Sequence, residues 1–321
     1  MKAVFLDYAT MGPGLDVEPL SRLFTEFVVH DVTTRGQIAE RIRDAEFVFA
    51  NKALLKADIL DAATRLRMIG LTATGTDNVD LDAARRHGVA VCNIRAYCTR
   101  SVVEHVFGVM LMLTHSLGRY DASVRAGEWQ RSADFCLLSH PIRELSAMTL
   151  GIVGHGELGR GVAAIARAFG MRVLVAARPD AATAHEDRVA FDDMLARADV
   201  ISLHCPLTDE TRNLFDAKAI AHMKPGSFLI NTARGGLVDP GALAAALESG
   251  HLAGAAVDVL SKEPPVQGDP LLDYRGANLI VTPHIAWSSR ESRQRLVDEI
   301  ALNIRAFAGG SIRNQVGSVL R

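Results

Sequence analysis

Short apolar runs alternate with amphipathic stretches along almost the whole chain. Lys2–Leu6, Phe27–Asp31, Phe47–Ala50, Met68–Thr72 and Val89–Asn93 are rich in apolar and β-branched residues, the composition of strands buried on both faces. Between them, Pro19–Phe24, Gly36–Ile42, Lys56–Ala62 and Leu81–His87 place apolar residues at helical spacing. Strict alternation of the two patterns predicts a small parallel α/β unit over residues 1–100.

A long apolar helix is predicted from Ser101 to about Leu117, as a hinge between two domains, followed by a polar segment containing Trp129 and Cys136. Alternation then resumes, with strands at Thr149–Val153, Arg172–Ala176, Val200–His204, Phe228–Asn231, Ala255–Asp258 and Leu279–Thr282. The last helix, Glu291–Phe307, follows Pro283 and His284 and has no sheet of its own left to cover. It is therefore predicted to return to the first unit. The expected architecture is two doubly wound parallel sheets: a smaller domain from residues 1–100 and 287–321, and a larger domain, 101–286, inserted between them.

The stretch Thr149–Ala177 carries the first chemistry. Its buried strand runs into Gly154, Gly156 and Gly159, the G-x-G-x-x-G spacing, and then into a helix with apolar positions at Leu158, Val162, Ile165, Ala166 and Phe169. Gly154 suits the tight turn, Gly156 a close backbone approach to a pyrophosphate, and Gly159 close packing of helix on strand, with the free N–H groups of the helix facing the phosphates. An acidic residue that would hold the ribose 2′-hydroxyl is expected roughly 20 residues on. That place reads Ala176, Ala177, Arg178, which leaves NAD and NADP both open.

Composition narrows the partners. With 49% hydrophobic and 22% charged residues, 321 residues suffice for two cores. A formal charge of −2 and the lack of a dense Lys/Arg run give no electrostatic basis for binding nucleic acid or an anionic membrane. Cys92, Cys98, Cys136 and Cys205 form no CxxC pair and lie in apolar or strand-like surroundings, so reduced thiols are expected, with neither a metal site nor a disulfide framework. Asp7 interrupts the apolar Met1–Leu6, and no h-region or cleavage site follows, so no signal peptide is expected and the location is expected to be cytoplasmic. The longest apolar stretch, Val102–Leu113, contains Glu104 and His105 and is too short to span a bilayer.

Three polar residues follow strands of the second unit, where open α/β sheets place their ligands. Arg234, in Asn231-Thr-Ala-Arg234-Gly-Gly, suits a two-pronged grip on a carboxylate. Glu263 sits in a loop fixed by Pro264 and Pro265, and His284 follows Thr282-Pro283. Alone, each has a plain structural reading, a surface arginine, a solvated charge or a packed histidine. Together they supply what carbonyl reduction needs: a cation for a substrate carboxylate, a proton donor near neutrality, and an anion beside that donor. His105, His115, His155 and His204 read as core or loop histidines, with cofactor contact as the alternative for His155 inside the glycine turn.

At this point the sequence resembles the D-isomer-specific 2-hydroxyacid dehydrogenases, in particular their glycerate dehydrogenase and hydroxypyruvate reductase branch. The matching motifs are TATGTDNVDL from Thr72, SVVEH from Ser101, GIVGHGELGR from Gly151, LHCPLTDETRNLF from Leu203, NTARGGLVD from Asn231, DVLSKEPP from Asp258 and TPHIAW from Thr282. The resemblance covers essentially the whole chain. It implies a Rossmann-type nucleotide domain inserted into a flavodoxin-like substrate domain, and an NAD(P)-dependent oxidoreductase that interconverts a 2-keto acid and a D-2-hydroxy acid, here hydroxypyruvate and D-glycerate. In that pattern Arg234 binds the carboxylate and polarises the keto oxygen, His284 is the acid and base, and Glu263 holds its imidazole. Substrate contacts are expected from Ala73, Thr74, Gly75 and Trp287. Cofactor contacts are expected from Val103, Gly154, Gly156, Glu157, Leu158, Gly159, Ala177, Arg178, Cys205, Pro206, Thr211, Thr232 and Asp258. The family forms homodimers, and Trp129–Arg143 resembles the dimer-forming arm. Ala177 departs from NAD-type members, which carry Asp or Glu there, so acceptance of NADP is expected, with Arg178 as the partner of its 2′-phosphate. The alternatives are another branch, such as a glyoxylate or D-lactate dehydrogenase, and a non-catalytic nicotinamide-sensing protein on the same fold.

Overall fold

The computed structural model of the chain describes residues 1–177 and 188–317. The backbone forms two compact units, one of Met1–Cys98 with Ser288–Arg321 and one of Thr99–Trp287. The junctions fall at Cys98/Thr99 and Trp287/Ser288, against 100/101 and 286/287 expected from the sequence. At the first, Thr99 and Arg100 already belong to the helix that the sequence reading started at Ser101.

In chain order the first unit contains β1 (Lys2–Phe5), α1 (Glu18–Ser21), β2 (Glu26–Val29), α2 (Arg35–Ile42), β3 (Phe47–Ala50), α3 (Ala57–Ala62), β4 (Met68–Leu71), α4 (Leu81–Arg86) and β5 (Ala90–Cys92). Its strands are all parallel, in the order β2-β1-β3-β4-β5. The order reverses between β1 and β3, as in flavodoxin-like sheets. Helices on both faces leave β3 and β4 buried along their length, which is why these strands read as continuous apolar runs. Gly70 in β4 leaves room for the Phe49 ring, which a Cβ there would meet at 2.7 Å. At the C-terminal edge the buried Asp7 carboxylate accepts the backbone N–H groups of Asn51, Lys52 and Ala53, tying down the loop after β3.

The second unit opens with α5 (Thr99–Thr114) and α6 (Leu117–Arg125). The single helix predicted to Leu117 is broken: α5 stops at Thr114, Ser116 takes the left-handed conformation at φ 52°, and α6 leaves at a bend of 57°. Among the described residues no single helix is long and apolar enough to cross a membrane. Then follow β6 (Thr149–Val153), α7 (Glu157–Ala168), β7 (Arg172–Val175), α8 (Phe191–Arg197), β8 (Val200–Leu203), α9 (Ala217–His222), β9 (Ser227–Asn231), α10 (Pro240–Glu248), β10 (Leu252–Val257), α11 (Pro270–Asp273) and β11 (Leu279–Val281). The final helix, α12 (Arg290–Ala308), belongs to the first unit and buries Leu296, Val297, Ile300, Ala301 and Ile304 there.

The second sheet is parallel throughout, in the order β11-β10-β9-β8-β6-β7. Val189 extends it by a single parallel bridge to Ala176, with hydrogen bonds from Ala177 N to Val189 O (2.8 Å) and Val189 N to Val175 O (3.0 Å). Counting that bridge as a vestigial third strand gives the 3-2-1-4-5-6 order of dinucleotide folds, with one strand added. The order turns between β6 and β8, which places a ligand crevice beyond their C-terminal ends.

The buried face of α7 is Gly159, Val162, Ala163 and Ala166. Ile165 and Phe169, expected on that face, are 40% and 43% exposed, because both lie at the flank of the stripe. The Phe169 ring is not idle there: it stacks on Phe107 of α5 with centroids 5.3 Å apart. The four cysteines are unpaired, and burial pushes the Cys92 thiol up to about 11.

Candidate active site

The glycine turn lies at the crevice between β6 and β8. Gly154 has φ +92°, and a Cβ there would meet the backbone of His204 and Cys205 at 2.5–2.7 Å, so only glycine lets the two strand ends come this close. Gly159 is equally constrained, since a Cβ would fall 2.1 Å from the carbonyl oxygen of Gly154. Gly156 differs from both: a Cβ would meet nothing within 4 Å. Its backbone faces open space immediately before the first turn of a 12-residue helix, whose N–H groups and dipole suit an anion.

Other residues expected near a cofactor line the same strand ends. Val103 of α5 is buried against α7, where a Cβ on Gly161 would meet its side chain at 2.9 Å. Thr232, just after β9, has an Oγ1 sealed from solvent with no hydrogen-bond partner among the described residues. An orphaned polar atom there fits a ligand that supplies the missing bond. Thr211 uses its hydroxyl inside its own turn, donating to Pro206 O (2.8 Å) and accepting from Thr208 N (2.7 Å), so it shapes the loop that carries Pro206. The Glu157 carboxylate accepts the Thr99 hydroxyl, which joins the start of α5 to the start of α7. His204 donates or accepts at Nε2 with Ser202 Oγ (2.9 Å), and burial of its ring holds its pKa down to about 4. Arg178 lies outside the described residues.

Arg234, Glu263 and His284 follow three neighbouring strands, β9, β10 and β11, at one end of the sheet. His284 Nδ1 and Glu263 Oε2 are 2.6 Å apart, each side chain about one-third exposed. The other oxygen, Oε1, accepts the N–H of Leu260 (2.8 Å), so the carboxylate pins its own loop while it holds the imidazole. With Nδ1 engaged, Nε2 is the nitrogen left to exchange a proton with a ligand. Arg234 stands in a turn built by the buried Asn231, whose side chain accepts from Ala233 N (3.0 Å) and donates to Arg234 O (2.9 Å). The next residue, Gly235, lies against the Leu260–Ser261 backbone so closely that a Cβ would fall 2.0 Å from Leu260 C. That contact sets the arginine loop directly on the glutamate loop.

The His284 loop is held from beneath by Asp258, which is 2% exposed. Its carboxylate accepts the Thr282 hydroxyl and the N–H groups of Ile285 (2.8 Å) and Ala286 (2.8 Å), and its carbonyl accepts the N–H of His284 (2.7 Å). These bonds hold His284 at φ +57°, a conformation in which few non-glycine residues rest without support. The SVVEH segment buttresses the same loop. Ser101 Oγ donates to Ala286 O (2.7 Å), and His105 Nε2 lies 3.3 Å from Thr282 Oγ1 and 4.0 Å from the Asp258 carboxylate. Trp287 donates its indole N–H to His284 O (2.9 Å). The sequence does not point to His105 and Ser101 as supports, nor to this role of Asp258 in the His284 loop. A usable signal was Asp258 itself, a carboxylate at the end of an otherwise apolar strand, where a buried charge demands partners.

In the first unit, Ala73, Thr74 and Gly75 follow β4 at its C-terminal end. Ala73 O accepts Ile94 N (3.1 Å), Thr74 Oγ1 donates to Ile94 O (2.9 Å), and Asn93 Nδ2 donates to Thr74 O (2.8 Å). These bonds use the carbonyls and the hydroxyl of the turn, and among the described residues its backbone N–H groups have no hydrogen-bond partner.

The model of the family described as D-isomer specific 2-hydroxyacid dehydrogenase, NAD binding domain, matches residues 107–286. A glycerate dehydrogenase of Methylorubrum extorquens is 41% identical over 98% of this chain and 98% of its own length. A hydroxypyruvate reductase of Blautia hydrogenotrophica is 38% identical over 98% of this chain and 99% of its own. Among solved structures, a D-lactate dehydrogenase of Aquifex aeolicus, complexed with NAD and lactic acid, is similar with a TM-score of 0.82 and 30% identity, over 99% of this chain and all of that one.

Proposed function

Because the chain belongs to the D-isomer-specific 2-hydroxyacid dehydrogenases, we propose that it interconverts hydroxypyruvate and D-glycerate, with Arg234, Glu263 and His284 as its catalytic residues. The observation that carries this reading is the Glu263–His284 pair set beside the Arg234 loop at the ends of three adjacent strands. Two full-length relatives that bear those activities support the choice of substrate.

Gly154, Gly156 and Gly159 with the start of α7 would hold the pyrophosphate of a nicotinamide dinucleotide, and Thr232 would meet a polar group near the strand ends. When bound, the nicotinamide supplies hydride. The protein does the rest. Arg234 pairs with the substrate carboxylate through its planar fork and stabilises negative charge growing on the carbonyl oxygen. In reduction, His284 gives a proton to that oxygen from Nε2, and in oxidation it takes one back. Glu263 fixes the ring orientation through Nδ1. Asp258 holds the loop so that the imidazole does not swing.

Ala177 bears no carboxylate to repel a 2′-phosphate, so NADP is the favoured coenzyme in this proposal. The arm between α6 and β6 supports a homodimer, since Phe135 is 90% and Leu138 82% exposed, and Trp129 and Ile142 are half-exposed beside them. A substrate panel tests the reading: hydroxypyruvate, glyoxylate, pyruvate and 2-ketobutyrate, each with NADPH and NADH, followed by loss of absorbance. The highest kcat/KM should be with hydroxypyruvate and NADPH. Absence of turnover with all four would leave a nicotinamide-binding protein without this activity.

A further inference from the structure

The end of β7 carries an arrangement of cations that the glycine motif does not account for. The two hydrogen bonds between Val189 and the β7 end fix Arg188 beside Ala176 and Ala177, and its Nη1 donates to Ala176 O (3.4 Å). Across the turn, Arg160 of α7 donates from Nη1 to the carbonyl oxygen of His155 (3.3 Å). These guanidinium contacts are to carbonyl oxygens rather than to carboxylates, so both charges stay available for an external anion. The nearest acid of the glycine turn, Glu157, is engaged by Thr99. The field at His155 has the same sign: its imidazole is held below the ordinary value by burial, then by Arg188, Arg160 and Arg167. Among the described residues these three guanidiniums have no carboxylate partner, so they repel one another and gain from a bound dianion.

This is where a dinucleotide bound at the start of α7 presents its adenosine ribose, beside the end of the second strand. We propose that Arg188, with Arg160 and His155 next to it, forms the binding site for the 2′-phosphate of NADP. The proposal rests on the reading of the glycine turn as a dinucleotide cradle. Beside Arg178, the residue expected from the sequence, it assigns selectivity to a side chain carried by the vestigial third strand. A guanidinium fork matches two phosphate oxygens at once, and a lysine in its place keeps only the charge.

Calorimetric binding to the full-length protein, without substrate, tests this with NADP⁺, NAD⁺, adenosine 2′,5′-bisphosphate and 5′-AMP. The wild type should bind NADP⁺ more tightly than NAD⁺, and the bisphosphate more tightly than AMP. Arg188→Ala should weaken NADP⁺ and the bisphosphate by roughly 10- to 100-fold, leave NAD⁺ and AMP within about twofold, and melt like the wild type. Arg188→Lys should recover part of the loss. An unchanged NADP⁺ to NAD⁺ ratio in Arg188→Ala, with both still bound, would overturn the assignment to Arg188 and leave the cradle intact. Failure of the wild type to bind either dinucleotide would overturn the cradle and this proposal with it.

Discussion

The contact between Gly235 and the Leu260–Ser261 backbone gives the sharpest handle on how the active site is assembled. A methyl group at residue 235 would lie 2.0 Å from Leu260 C, 2.2 Å from Leu260 O and 2.3 Å from Ser261 N, where ordinary contact begins at 3.4 Å. All three atoms are backbone, so no rotamer change relieves the overlap, and the Arg234 and Glu263 loops must part by more than an ångström. Displacement of reacting groups by about 1 Å costs roughly a hundredfold in rate, and forced overpacking costs about 1–3 kcal/mol of stability. Gly235→Ala should therefore lose about two orders of magnitude in kcat with hydroxypyruvate, while NADPH binding, followed by quenching of its fluorescence, stays near wild type. Gly236→Ala is the matched control, because its methyl would meet only side-chain ends, those of Leu207 at 3.0 Å and Arg212 at 3.6 Å, which can turn away. That variant should keep kcat within about threefold. If Gly235→Ala and Gly236→Ala behave alike, the close loop contact does not position the catalytic groups.

Arg234→Lys keeps the charge and loses the fork, so kcat/KM should fall by about 3 kcal/mol, roughly 150-fold; a value near wild type would reject the carboxylate grip. Asp258→Asn presents one acceptor oxygen where two were used, leaving a buried N–H opposite a donor, and should cost about 1–3 kcal/mol in urea unfolding together with a lower kcat. An unchanged kcat would separate Asp258 from the His284 loop. Burial holds His204 down to about 4, below its ordinary 6.5, so the unfolded chain takes up a proton there that the native state refuses as pH falls. Its contribution to stability should drop by roughly 2 kcal/mol between about pH 7.5 and about pH 5. His204→Gln should show a correspondingly shallower fall over that range, and parallel curves would contradict the assignment. Phe135→Glu combined with Leu138→Glu should yield monomers in sedimentation, and dimers of unchanged stability would place the interface elsewhere.

Much of this fold is legible as pattern because burial on both faces of a parallel sheet leaves β-branched runs that local composition reveals. The three glycines are legible for a similar reason, since each answers to a local geometric need within a few residues. What escaped was set by partners distant in the chain or by elements too short to have a period. Val189 pairs through one residue, so no alternation announces it, and the selectivity proposed for Arg188 depends on that bridge. The break after Thr114 involves neither Gly nor Pro, and Ser116 adopts its left-handed turn without either signal. Gly235 reads as part of a flexible turn until the 258–263 loop is seen against it. Asp258, His105 and Thr282 form one network from three separate segments, and only the cost of burying a carboxylate hints at it beforehand. The candidate triad was legible as chemistry, while the supports that give it geometry were not.

The central claim is that His284, held by Glu263, delivers the proton in keto-acid reduction. Single-turnover reduction of hydroxypyruvate by His284→Asn, with NADPH bound beforehand and its affinity measured separately, tests it most directly. The account predicts a rate lower by about a thousandfold with coenzyme affinity unchanged. A rate within about tenfold of wild type under the same saturation would contradict it.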